Sequence, residues 1–401
     1  MRILLTNHEL ARRTGTELVT AELALALRGR GHEVAVFTWC RGDLAGEVEA
    51  AGVPVVEDPR EVPFVPEALH GQHHLAVMAA LAAWPGLGGL FYCHGVLPFD
   101  EQPPRHPRLL RYLSMAGINA GWVAEAAGVP PDQVGVLPNW FDESRFRTVR
   151  DPARATARAV VFGNRIGPGP VFDAVKAGCA RHGMELTGIG RPFGNATEAP
   201  EHALPEYDVV FATGRSALEA LACGCAVVPL DAVAGLGRLV TPEDFDEQRD
   251  RNWCVYQRPI EVAEEVVAAE LARWSASAQA AVTRRVREEL TLVHAVTALE
   301  GEYRALAARA AAGAAGPVID DGERAALVGY FRFLAARTRE SDAAFREARR
   351  YARLAEKVPV LKEEAAAARR DLKSLVRRLE DRWWGRRFLR RHGGWQNPGA
   401  D

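Results

Sequence analysis

The 401-residue chain lacks any run of about 18 uninterrupted apolar residues, the length a helix needs to cross a bilayer. The apolar run of the N-terminal MRILLTNHEL is too short for a secretory signal and leads straight into strand-like sequence, so a cytoplasmic location is expected. Cysteine is scarce and scattered, at 40, 93, 179, 223, 225 and 254. Only Cys223 and Cys225 are close, and their spacing fits neither a zinc knuckle nor a CxxC redox pair, so free thiols are expected. Strong charge of either sign is missing too. A formal net charge of -2 is too near neutral for a nucleic-acid binder, and no nucleic-acid partner is expected. No repeat of fixed period is present.

What is present is apolar residues, 48% of the chain, enough for two or three cores at this length. Strand and helix signals alternate from the start. Arg2–Thr6, Glu33–Thr38, Val53–Val56, Leu90–Cys93 and Val134–Leu137 read as strands, with a buried helix over Thr16–Arg28 and an Ala-rich helical stretch before Leu90. A second series follows a polar stretch near Thr148–Thr156. Ala159–Phe162, Met184–Ile189, Asp208–Ala212 and Ala226–Leu230 read as strands, with helices over Val171–Arg181 and Gly214–Ala222. Interleaved strands and helices imply parallel sheets covered on both faces. The expected fold class is α/β, with two Rossmann-like domains over 1–152 and 153–312 facing a cleft. Beyond the small-residue linker Gly313–Pro317, residues 318–401 form a helical, basic extension broken at Pro359.

The most informative stretch is DVVFATGRSALEALACGCAVVPLD, 208–231. A strand ends at Thr213-Gly214-Arg215, a helix starts at Ser216, and Glu219 falls in its first turn. Two readings stand here. In one, Gly214 lets a phosphate approach the main chain, helix-start N–H groups bind it, Arg215 adds a fork of donors, and Glu219 accepts from ribose hydroxyls. In the other, Ser216-Ala217-Leu218-Glu219 is a capping box that satisfies the helix's own N–H groups.

Glu219-Ala220-Leu221-Ala222-Cys223-Gly224 resembles the donor-binding helix of family 4 glycosyltransferases, which have the GT-B fold. Three further stretches resemble the same family in the same order. They are Gly15-Thr16-Glu17 before a helix ending RGRGHEV, Val136-Leu137-Pro138-Asn139 with Phe141-Asp142 and Phe146, and Thr291–Tyr303 as a closing helix. The likeness spans residues 1–310 or so. It implies transfer of a sugar from a nucleotide-diphosphate-sugar co-substrate, with no other cofactor. Arg165, in the turn GNRIGPGP (163–170) with Asn164, matches the family's diphosphate arginine, but GPGP stands where its lysine belongs. Phe211 occupies the place of the family's first glutamate, eight residues before Glu219, so sugar recognition and stereochemistry depart from the pattern.

The expected catalytic set is therefore His94, Arg165 and Glu219, and the substrate-binding set is Gly15, Thr16, Asn164, Gly190, Gly214, Arg215 and Ser216. His94 follows a strand, and the resemblance makes it an acceptor- or sugar-side contact; a hydrogen-bonded loop histidine is the competing reading. Fixed donors that stabilise the departing diphosphate remove the need for a metal, and none is expected. Asp244-Phe245-Asp246 reads as a solvated loop, His70, His73 and His74 as loop residues, and Asp100 and Glu101 as surface charge.

Residues 371–391 carry eight basic against three acidic residues, a local charge of +5, with Leu372, Leu375, Val376, Leu379 and Trp383 at near-helical spacing. Such a helix suits an anionic membrane surface, which would place the chain peripherally at the inner face with a glycan or lipid-linked acceptor. Packing on the body or on another copy is the alternative. Two other whole-chain readings stand beside the transferase: a nucleotide-sugar epimerase, for which no catalytic set is apparent, and a catalytically silent GT-B scaffold that binds glycan or a partner.

Overall fold

The computed structural model describes residues 1–96, 98–153, 157–255 and 260–309, and short pieces between 328 and 378. The chain divides into two units, Met1–Ala325 and Ala326–Asp401. The first holds two sheets. Strands β1 (Arg2–Asn7), β2 (Glu33–Thr38), β3 (Val55–Val56), β4 (Ala68–Gly71), β5 (Gly89–Cys93), β6 (Leu109–Ser114) and β7 (Val134–Val136) form a seven-stranded sheet in the order β3-β2-β1-β4-β5-β6-β7. Every pair in it is parallel. Helices α1 (Gly15–Gly29), α2 (Asp43–Ala50), α3 (His74–Ala83) and α4 (Ala120–Ala127) are its crossovers. With both faces covered, strands such as EVAVFT are buried almost throughout rather than alternately. Gly31 at φ 84° takes the left-handed conformation that ends α1.

The second sheet comprises β8 (Arg158–Phe162), β9 (Glu185–Ile189), β10 (Val209–Ala212), β11 (Ala226–Asp231) and β12 (Gly235–Leu236), in the order β12-β11-β10-β8-β9. Only β12 runs antiparallel to its neighbour. Helices α5 (Pro170–Ala180), α6 (Pro200–Ala203), α7 (Arg215–Ala222) and α8 (Phe245–Asp250) are interspersed, and α9 (Glu264–Leu271), α10 (Ala276–Glu289) and α11 (Leu292–Arg309) follow. Six of the eight residues of α7 are buried, packed toward Val282 and Val286 of α10.

The chain crosses between the domains twice, and the crossings touch. Phe141 N–H donates to the Leu290 carbonyl at 3.0 Å, and Leu292 N–H donates to the Phe141 carbonyl at 2.9 Å. Helix α11 then returns to the first sheet, where Ala295, Val296, Leu299, Tyr303 and Leu306 join its core. His32 meets Glu300 at 2.9 Å, and Tyr303 Oη lies 2.8 Å from His70 Nδ1.

Three strands, β4, β6 and the two-residue β12, go beyond the sequence expectation. The four residues ALHG contain no β-branched side chain and are buried on both faces, so they show neither propensity nor alternation. In β6, Arg111 interrupts the apolar run; its guanidinium reaches Glu302 of α11 at 3.1 Å. The third strand is also shorter than expected, Val55–Val56. In the second unit, residues 338–341, 346–350 (with 345 not described) and 371–375 include helical pieces, and Leu372 and Leu375 are buried. Linker 313–317, Pro359 and most of 371–391 lie outside the described residues. Among the described residues, no helix is long and apolar enough to cross a membrane.

Candidate functional site

In an open parallel sheet, ligands bind beyond the carboxyl ends of the strands where the strand order reverses. Here those points lie between β1 and β4 and between β8 and β10. The loops that leave them are residues 8–14 and 72–73 in the first domain, and 163–169 and 213–214 in the second. Most of the expected site residues fall on or beside these loops.

At the second point, Gly214 is the N-cap of α7, with φ 61°, and no side chain caps the helix. Ser216 is thus the second helical residue rather than the cap, and Glu219 does not reach back to the helix start. Its carboxylate accepts from Arg215 Nε at 2.7 Å instead. The capping-box reading of this stretch is corrected accordingly. The reason is local. Gly214 takes a left-handed turn open to glycine, and Arg215 captures the glutamate one helical turn on.

Arg215 also donates through Nη2 to Glu22 of α1, across the domain gap. Glu22 in turn accepts from Trp140 Nε1 at 3.1 Å, at the first crossing. The side chains of Arg215, Glu22 and Glu219 are only 12%, 11% and 8% exposed. Burial pulls the Arg215 pKa down, but Glu22 and Glu219 outweigh it and raise it overall. Burial pushes the Glu219 carboxyl up; Arg215 opposes this and Glu22 adds to it. One guanidinium thus serves two carboxylates, one from each domain.

Arg165 sits on the turn after β8, 64% exposed, with Nη1 at 3.4 Å from Asp231 at the end of β11. An ion pair with one member so open to water is weak. Burial raises the Asp231 pKa, but the amides of Ala234 and Val233, both at 2.9 Å, and Arg165 bring it below the usual value. Asn164 ties two strand-end turns together, and Gly190 is fixed within its own turn. Asn164 Oδ1 accepts from Arg191 N–H at 2.8 Å, and Asn195 Oδ1 accepts from Gly190 N–H at 3.0 Å. Beside Gly214, Asn252 adopts φ 52° and accepts from Asn139 Nδ2 at 2.8 Å, a second polar link across the gap.

At the first point, Gly15 opens α1, and a Cβ built there meets nothing within 4 Å. The Thr16 carbonyl accepts from Asn7 Nδ2 at 3.1 Å. Glu17 takes the loop amides of Ala11, Arg12 and Thr14 at 2.9, 2.7 and 3.1 Å, which shapes the loop ahead of the glycine.

His94 follows β5. Its ring lies 4.2 Å from that of Tyr92, and its buried Nε2 has no hydrogen-bond partner among the described residues. Burial lowers its pKa to about 4, so the ring is neutral near pH 7 and offers one nitrogen to a hydroxyl group. The His94 main-chain N–H donates to Glu101 at 2.8 Å. Glu101 is 4% exposed and faces His73 Nε2 at 3.5 Å, so it is not surface charge. Burial works against this carboxylate, but His73 and the His94 amide hold it below the usual value. Of the triplet His70, His73 and His74, only His73 lies in a loop, at 72–73. His70 is inside β4, His73 is the N-cap of α3 at φ 60°, and His74 is its first residue. Side chains so buried carry no sequence signal that separates them from a polar loop. The contacts of Glu22, Asn139 and Asn252, made across the gap, leave no such signal either.

The acidic triplet is tied into ion pairs, Asp244 with Arg273 and Asp246 with Arg285, each at 2.6 Å. Among the described residues, no group of three metal-ligating side chains gathers. All six cysteines are free thiols.

Two Rossmann-like domains, joined by paired crossings and closed by a helix returned to the first, constitute the GT-B fold. Solved structures share it. A glycosyltransferase from Rickettsia africae superposes with a TM-score of 0.52 at 11% identity over 76% of this chain and 98% of its own. Anabaena HepE in complex with UDP-glucose gives 0.51 at 15% identity over 76% and 100%. No protein-family profile and no curated protein sequence matches the chain.

Proposed function

We propose that the chain is a glycosyltransferase that moves a sugar from a nucleotide-diphosphate-sugar donor to a hydroxyl-bearing acceptor. One observation carries this reading: α7 begins uncapped at the reversal point of the second sheet, turned toward α1 of the first domain. Free N–H groups at a helix start favour an anion, and Gly214 lets one come close. The shared fold supports the reading, as does the UDP-glucose held by HepE.

Breaking the sugar–phosphate bond leaves charge on the diphosphate. The α7 amides, Arg165 and Arg215 would stabilise it there, with the open space at Gly15 on the opposite wall. Glu219 would position Arg215 rather than meet ribose. The neutral ring of His94 would take an acceptor or sugar hydroxyl. A glycan or lipid-linked acceptor, a cytoplasmic site and docking of residues 371–391 on an anionic membrane belong to the same proposal.

A silent scaffold is the second reading, favoured by Phe211. It stands where the resemblance places a carboxylate, and it is wholly buried within β10. Calorimetric titration with UDP, GDP and ADP separates the two. The transferase predicts binding of at least one nucleotide, weakened but still measurable in Arg215→Ala, and release of free nucleotide diphosphate when the matching sugar donor is supplied. A chain that binds none of the three is a scaffold.

A further inference from the structure

Arg215 spends its donors unevenly. Nε serves Glu219 at 2.7 Å on its own helix, Nη2 serves Glu22 on the other domain, and Nη1 is buried with no hydrogen-bond partner among the described residues. The two carboxylates differ in freedom. Glu219 is four residues along α7 and moves with Arg215. Glu22 belongs to α1, and its other oxygen is already held by Trp140 Nε1 at 3.1 Å, so it keeps a partner when it leaves the guanidinium. A diphosphate arriving at the start of α7 would place a third anionic group on one cation in a space with little water, and like charges there repel strongly. The carboxylate across the gap is the one able to yield.

We infer that Glu22 and the diphosphate of a nucleotide compete for Arg215, so that Glu22 gates the donor site from the opposite domain. The inference rests on the donor site proposed above. Glu22 holds the domains together through Arg215; the diphosphate takes its place and draws on the unspent Nη1 donors. Glu22 is then a positioning residue, acting on the donor only through Arg215.

Titration of UDP, GDP and ADP into the full-length wild type, Glu22→Gln, Arg215→Ala and the double variant tests this. Neutralising Glu22 should tighten diphosphate binding by about tenfold, and the gain should vanish in the Arg215→Ala background. A residue with a merely structural role would weaken binding instead. Glu22→Asp, which keeps the charge but falls a methylene short of Arg215, should show part of the gain and covers the case in which the glutamine variant fails to fold. Equal or weaker binding in Glu22→Gln and Glu22→Asp, with nucleotide still bound by the wild type, overturns the gate alone. So does a gain that persists without Arg215. If neither the wild type nor Glu22→Gln binds any of the three nucleotides, the donor site itself falls, and the gate with it.

Discussion

The candidate site residues include glycines of two kinds, and the difference lies in what a methyl group would meet. A Cβ on Gly190 would stand 2.0 Å from the Gly163 carbonyl oxygen, at φ 150°, so this glycine is required by the protein's own packing. Gly190→Ala should destabilise the chain by about 2–4 kcal/mol, read as a lower denaturant midpoint at unchanged slope. Gly15 meets nothing within 4 Å at its would-be Cβ. Gly15→Ala should leave stability unchanged or raise it by up to about 1 kcal/mol. Its cost should fall on nucleotide affinity, since the methyl group would occupy space the diphosphate needs. Unchanged nucleotide affinity in Gly15→Ala removes this turn from the donor site. Both glycines are visible in the sequence as turn residues, but nothing in their flanking residues tells the two kinds apart.

At the scale of the element, α7 decides how the site is read. The sequence Ser216-Ala217-Leu218-Glu219 fits a capping box as well as a phosphate turn. The structure starts the helix one residue earlier, at Arg215, with Gly214 as an uncapped N-cap. Ser216→Ala therefore should change stability by less than about 0.5 kcal/mol, where loss of a true cap costs about 1 kcal/mol. Chemical denaturation of the single variant measures it, and a loss of cap size restores the capping box. The helix and its flanking strands were legible from hydrophobic pattern alone. The partner of Glu219 was not, because the choice between a helix amide and an arginine turns on the conformation of a single glycine.

At the scale of the molecule, burial of histidine sets an acid limit. Burial lowers His70 to about 3, and His74 and His94 to about 4, all from an ordinary value of 6.5. Between those values the unfolded chain binds protons that the folded chain refuses. Stability from these rings is complete above pH 6.5 and is lost as pH falls toward 4. Each ring contributes a slope of at most about 1.4 kcal/mol per pH unit. His73 stands apart from this set, since Glu101 works on it in the opposite direction. Thermal unfolding should show a melting temperature that drops steadily from pH 7 to pH 5. A flat profile contradicts the burial of these rings in solution. His70 also ties the molecule together, since its partner Tyr303 lies on the helix that returns from the second domain.

Resemblance of Thr291–Tyr303 to a closing helix implied the return of α11, while the sequence by itself determined the alternation of strands and helices, the two Rossmann-like halves, and the glycine turn at Gly214 as a candidate anion site with its capping left open. These are local matters, written in apolar periodicity and in the placement of glycine. Tertiary structure alone decided the pairings of charge. Arg215 finds Glu22 193 positions away, Glu101 withdraws from the surface to hold His94, and β4 appears in a stretch without strand character. Long-range Coulomb contacts and burial on two faces depend on which segments the fold brings together, and no short window of residues encodes that.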